Sequence, residues 1–275
     1  MKNKKNIFFI LLFFVCFCYS SVFSQQKINS FHENSPIEIF ADQGIEWDKN
    51  KRKYIARGNT KVIRNDLTVT SDQLEAFYNE EKNKQENIEL IEASGNVIIK
   101  TSTSKILGGK VASYFLDKKY FIVKGENLKL FSNQDKLIAN QKIEFWESEN
   151  IAVATGKAIA IRDKKYFLEG EKLAWYLKKN NQDEYEVVKI IGFTNVKIEN
   201  ENEIAFSDKA LYNNKKEICK LYGNVKLKRG ENFLTGEYAE INLKTGISKL
   251  LPYPSGKISK TEKRVKALIK KDKDE

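Results

Sequence analysis

One ten-residue phrase narrows what this chain can fold into more than any bulk property does: Cys219-Lys220-Leu221-Tyr222-Gly223-Asn224-Val225-Lys226-Leu227-Lys228. Cys219, Leu221, Gly223, Val225 and Leu227 share one parity, while Lys220, Asn224, Lys226 and Lys228 share the other. That is the period of a strand with one dry face and one wet face, and Tyr222 is the single breach. A glycine followed by apolar alternation returns at Gly58, Gly95, Gly125, Gly156 and Gly192. From Gly58 to Gly223 the intervals are 37, 30, 31, 36 and 31 residues, so the chain is an internal repeat.

Each repeat carries a second anchor after its glycine, a small or turn-forming pair followed by polar, apolar, any, apolar. The copies begin at Ser71-Asp72, Gly108-Gly109, Asn140-Gln141, Gly170-Glu171, Ser207-Asp208 and Gly236-Glu237. An apolar residue stands two positions before every pair, at Val69, Ile106, Ile138, Leu168, Ala205 and Leu234. Gly, Ser, Asn and Asp tolerate turn or left-handed backbone, so each repeat reads as strand, bend, strand, polar turn. The three prolines all lie outside residues 37–251, and no long stretch has a 3.6-residue apolar period. The body is therefore all-β.

Such repeats cannot each bury a face alone; they stack or close up. A six-bladed propeller needs about 40 to 45 residues per blade, more than these intervals supply. An outer-membrane barrel points apolar residues outward into lipid, whereas the alternate face here is mostly Lys, Glu and Asn. A stacked β-solenoid folded into two facing antiparallel sheets, apolar parity inside, needs no adjustment. Its interior is expected to be lined by Val62, Val97, Ile99, Leu128, Leu130, Val196, Ile198, Val225 and Leu227 from the first strands, and by Leu74, Val111, Ile143 and Leu173 from the second. Core packing is the simpler reading of any one of these. As a set, they form an apolar trough if the sheets splay.

The flanks have a different character. Lys2, Lys4 and Lys5 precede an apolar run over residues 7–23, and Val22-Phe23-Ser24 has the small residues of a signal-peptidase site. The favoured reading is a signal peptide over residues 1–24 with cleavage after Ser24; an uncleaved anchor is the competitor. Residues 25–36 are a polar lead-in, residues 37–251 the repeat body, and residues 252–275 a Lys-rich tail expected to be flexible. Within that tail Val265, Leu268 and Ile269 could make one amphipathic turn. Removing the leader leaves only Cys219, so no disulfide framework exists and core burial must hold the fold. Of the net charge of +11, the leader carries three and residues 256–275 a net four, which leaves a mildly basic body and no nucleic-acid signature.

The inventory is poor in chemistry. His32 is the only histidine and precedes the repeats, which excludes a Ser/His/Asp triad within them and leaves no zinc set. Cys219 has inward parity and reads as a small buried hydrophobe. Gly108-Gly109 lacks the rest of a phosphate loop. Acids such as Asp183 and Glu184 sit in polar turns, although the inventory of acids leaves a carboxylate glycosidase formally open. No cofactor is expected, and a carrier is favoured over an enzyme.

Two phrases and the leader give the chain its likeness. The Gly-Asn-Val-x-Ile/Leu phrase (Gly95-Asn96-Val97-Ile98-Ile99 and Gly223-Asn224-Val225-Lys226-Leu227) and the Ser-Asp phrase (Ser71-Asp72-Gln73-Leu74 and Ser207-Asp208-Lys209-Ala210-Leu211-Tyr212) resemble the OstA-like family, which includes LptA of periplasmic lipopolysaccharide transport. The resemblance spans residues 37–251. It implies a β-jellyroll or taco-shaped solenoid in the periplasm whose interior shields the lipid A acyl chains of lipopolysaccharide. It further implies end strands that pair head to tail with OstA-like domains of inner- and outer-membrane transport proteins, or with further copies of the chain. The chain is longer than the bridge protein typical of the family, so extra repeats are expected. Two alternatives stay open: a membrane-anchored, LptC-like component of the same machinery, and a structural or adhesive β-repeat surface protein without a lipid ligand. The short tail after residue 251 argues against the outer-membrane member with its barrel.

Overall fold

The computed structural model describes residues 36–80, 86–132, 135–181, 185–201, 203–254 and 264–270. The expected leader and its cleavage site lie outside the described residues. Among the described residues there are eighteen strands and no helix. They are β1 (Glu38–Phe40), β2 (Ile45–Asp48), β3 (Lys53–Arg64), β4 (Leu67–Glu80), β5 (Glu86–Lys100) and β6 (Ser104–Phe115). Then follow β7 (Tyr120–Lys124), β8 (Leu128–Ser132), β9 (Asp135–Ala139), β10 (Lys142–Trp146), β11 (Ile151–Arg162) and β12 (Tyr166–Lys179). The chain closes with β13 (Tyr185–Glu199), β14 (Ile204–Asn213), β15 (Ile218–Arg229), β16 (Asn232–Asn242), β17 (Ile247–Leu251) and β18 (Lys266–Leu268).

All of them belong to one antiparallel sheet in which neighbours along the chain are neighbours in space. Four rungs of this ladder are split in two: β1 and β2 both pair with β3, β7 and β8 with β6, β9 and β10 with β11, and β17 and β18 with β16. Counting each split pair once, the 18 strands make 14 rungs. The expected facing sheets are thus two walls of one continuously hydrogen-bonded sheet, creased across the middle of every rung.

The crease is written in the glycine phrases. In β15 the register with β16 slips between Tyr222 and Val225, and Gly223 and Asn224 have φ of 75° and 47°. One extra residue with left-handed backbone is a bulge, which bends the strand and sharpens its twist. Gly58-Asn59, Gly95-Asn96 and Gly156-Lys157 repeat this conformation, and Asn127 supplies it between β7 and β8. At three of these corners the preceding rung braces the bend. Asn224 Nδ2 donates to Asp208 Oδ2 at 2.9 Å, Asn96 Nδ2 to Asp72 Oδ2 at 2.9 Å, and Asn59 Nδ2 to Asp42 Oδ2 at 2.8 Å. The two sequence anchors are therefore the two sides of one corner. Glycine is needed twice over at Gly95: its φ is +73°, and a Cβ there would lie 2.2 Å from Asp72 Oδ2.

Two expectations are corrected at this level. The left-handed backbone expected at the second anchors lies, Gly108 apart, in the glycine phrases that face them; in β13 that place is held by Thr194 and Asn195, with φ of 62° and 52°, which stand where Gly223 and Asn224 stand in β15. A β-branched residue in left-handed backbone costs about 1–2 kcal/mol, and Thr194 is exposed, so no packing offsets that cost. Thr194→Gly is therefore expected to raise the unfolding free energy by about 1 kcal/mol, read from the urea midpoint at unchanged slope. The tail is the second correction. Residues 266–268, expected to be flexible or one helical turn, form β18 and pair with Phe233–Thr235 of β16.

Candidate functional site

Between the walls, directly opposed residues form two unbroken apolar rows. On the first wall the row runs Ile45, Ala56, Leu74, Ala93, Ala112, Val123, Ile143, Ala154, Leu173, Gly192, Ala210, Leu221, Ala239 and Leu250. On the second it runs Ile39, Val62, Val69, Ile99, Ile106, Leu130, Leu137, Ala160, Leu168, Ile198, Ala205, Leu227, Leu234 and Ala267. Cross-strand partners share a face, so each row is a stripe crossing the ladder from its first rung to its last. Side chains from both walls join in one buried cluster, with Val123, Leu128, Leu173 and Leu221 at 0% exposure. In this structure the walls touch, and the trough is closed to water.

Twelve of the thirteen expected lining residues lie inward. Leu74, Ile143 and Leu173 are on the first wall; Val62, Ile99, Leu130, Ile198 and Leu227 are in the second row. Val97, Leu128, Val196 and Val225 sit beside the crease, each at 1% exposure or less. Val111 is the exception. Its partners across the ladder are Ser94 and Lys124, whereas its neighbour Ala112 faces Ala93 and Val123. The reason is Gly108: β6 slips against β5 on both sides of Val97, Gly108 has φ of +83°, and a one-residue slip turns every following side chain over. Ala112 lines the interior instead, at 4% exposure.

The sequence reading undervalued small residues. Ala56, Ala93, Ala154, Ala210 and Ala239 alternate with Leu and Ile along the first wall, which lets large side chains of one wall seat opposite small ones of the other. Their signal was present, since each keeps inward parity with a lining residue two positions away or directly opposite. Cys219 is inward as expected, at 2% exposure, and burial pushes its thiol up to about 12. It is a protonated hydrophobe and no nucleophile at neutral pH.

Among the described residues, charged side chains with inward parity appear toward the two lips, the ends of the walls far from the crease, while the polar Thr60, Ser71 and Ser207 are buried beside the crease, Thr60 Oγ1 donating to the Ser71 carbonyl at 3.0 Å. Arg162 takes both oxygens of Asp135, Nε to Oδ1 at 2.8 Å and Nη2 to Oδ2 at 2.7 Å, and this pairing raises its already high pKa. Burial pushes the Tyr114 hydroxyl up to about 12, helped by the nearby Glu147 charge, and burial likewise raises the Glu147 carboxyl. Among the described residues no group of three His, Cys, Asp or Glu could hold a metal ion.

The profile of the family described as LptA/(LptD N-terminal domain) LPS transport protein matches residues 38–144 and 90–247, together spanning the creased ladder from β1 into β17. The chain belongs to this family. As a member of the LptA/LptD N-terminal family it is an LPS-transport-type protein with the all-β, jellyroll-like fold, and the family is one of transport proteins. Among solved structures it is similar to LptH, the LptA homologous periplasmic component of the lipopolysaccharide transport device of Pseudomonas aeruginosa. That likeness has 11% identity and a TM-score of 0.24, and covers 88% of this chain and 100% of the other. No curated protein matches the chain.

Proposed function

We propose that the chain is a periplasmic carrier that shields the acyl chains of lipopolysaccharide between its walls, and that it bridges inner- and outer-membrane partners by strand addition at its ends. The observation that carries this reading is the pair of apolar rows, unbroken over every rung. Acyl chains in water cost about 0.8 kcal/mol per methylene, so a carrier has to offer a lining without gaps.

The ends support the bridging half of the proposal. Phe40, Ile45 and Trp47 are 50%, 51% and 48% exposed on the first rung, and Ile247 and Ile269 are 55% and 76% exposed at the last. Unpaired edges with apolar side chains are templates for another chain's strand. Contacts of this head-to-tail kind extend rather than close.

Photo-crosslinking tests the carrier. With a photoreactive phenylalanine analogue at position 225, next to the crease and inward, irradiation with lipopolysaccharide is expected to give a lipid adduct. The same probe at position 226, exposed on the outer face of the same strand, is expected to give little or none. Equal labelling at both positions rejects an interior route and favours the structural β-repeat reading.

A further inference from the structure

A closed interior raises the question of how a guest reaches it. Passing end-on, a chain would have to displace every rung's packing in turn, including side chains at 0% exposure from both walls. Parting the lips instead opens the fold like a hinge on its crease, where pairs of left-handed residues already bend β3, β5, β11, β13 and β15.

What holds the lips together is polar. Arg162, two residues beyond Ala160 on the second wall, reaches across the mouth: its Nη1 donates to Asn214 Oδ1 on the first wall, and its guanidinium lies 5.9 Å from the centre of the Tyr212 ring. Asn214 is held ready by Nδ2 donating to the Val187 carbonyl at 2.8 Å, and the Tyr212 hydroxyl donates to its Oδ1 at 3.2 Å. Glu203, two residues before Ala205, accepts the Ser248 hydroxyl from the first wall at 2.7 Å, and Arg229 on its own wall at 3.4 Å. These links run from β11 to β14 and from just before β14 to β17, each about three strands along the ladder. A repeated offset at inward positions, where charge is otherwise absent, marks a built feature of the mouth.

We propose that these two clasps gate lateral access to the trough, and that the guest is a phosphate-bearing acyl lipid whose phosphate replaces Asn214 and Asp135 on Arg162 as its chains slide between the walls. Apolar rows can re-form around an inserted acyl chain at little cost, whereas a clasp has to be broken or exchanged. A guanidinium already presenting its fork to a carboxylate exchanges most readily for another bidentate anion. The identity of the guest rests on the carrier reading above; the gate does not.

Cys219 is the built-in reporter, because it lies inward, directly opposite Tyr212 across β14 and β15. In a chain with Cys16→Ser and Cys18→Ser, its alkylation by N-ethylmaleimide reports how often the mouth opens. Arg162→Ala is expected to speed alkylation about ten-fold, the loss of a charged hydrogen bond. Arg162→Lys, which keeps the charge without the fork, should fall between. Lys110→Ala, which breaks the exposed Lys110–Glu126 pair at the crease, should leave the rate unchanged. An Arg162→Ala rate no faster than its urea-measured loss of stability accounts for, or an equal rise in Lys110→Ala, overturns the gate. For the guest, removing the phosphates of lipid A should weaken binding to the native chain about ten-fold and make no difference to Arg162→Ala. A phosphate preference that survives Arg162→Ala rejects that role for the arginine. Failure of both lipids to bind rejects the carrier, while the alkylation rates still decide the gate.

Discussion

Ala112→Asp is expected to unfold the chain or leave it on the edge of unfolding, while Val111→Asp, one residue earlier, stays within about 1 kcal/mol of the native chain. Ala112 is 4% exposed and faces Ala93 and Val123, so a carboxylate there has no partner. An uncompensated buried charge costs about 3–5 kcal/mol, a large share of the roughly 5–15 kcal/mol that stabilises an ordinary domain. Val111 stands on the other face opposite Lys124, whose ammonium can meet the new carboxylate. Urea unfolding followed by far-ultraviolet circular dichroism separates the two. Should Val111→Asp prove the more damaging, the register slip at Gly108 is wrong, and the interior row with it.

Gly95→Ala is expected to cost about 2–4 kcal/mol, and Gly246→Ala only about 1. Both residues have left-handed backbone, with φ of +73° and +69°, so the backbone penalty is shared. They differ in what a methyl group meets: Asp72 Oδ2 at 2.2 Å from Gly95, nothing within 4 Å of Gly246. Asp72 has to rotate away, which breaks its bond to Asn96 and removes the brace of that corner. Adding Asp72→Ala to Gly95→Ala should therefore recover part of the loss, and a double-mutant cycle on urea midpoints measures how much. Equal costs at the two glycines would mean that the brace contributes nothing.

These two cases also mark where the sequence was legible and where it was not. Strand period and turn chemistry are local, so the all-β ladder, its repeats and twelve of the lining positions could be read directly from alternation around residues such as Val97 and Val225. Val111 was misassigned because two adjacent glycines, Gly108 and Gly109, leave the position of a bulge undetermined by composition. Thr194 was overlooked because the bend was assigned to the small or turn-forming pairs of the second anchors, whereas the left-handed backbone sits opposite them, where Asn195 accommodates it and Thr194 accepts it at a cost. The short strand Lys266–Leu268 has too few residues for a period and acquires its form from the edge of β16. The clasps were invisible for a different reason. Arg162 and Glu203 look like the ordinary charged ends of strands, and only the folding of one wall over the other brings them to Asn214 and Ser248.

A ladder in which the backbone of every rung pairs only with the rungs before and after it has a length that can be altered in steps. Strands in a sheet are spaced by about 4.8 Å, so 14 rungs reach about 60 Å and each added or removed hairpin changes the reach by about 10 Å. A hairpin added or removed where no side-chain link crosses it leaves the remaining backbone pairings in place. The molecule is in that sense a ruler graduated in hairpins, its length adjustable by duplication without redesign of the backbone ladder.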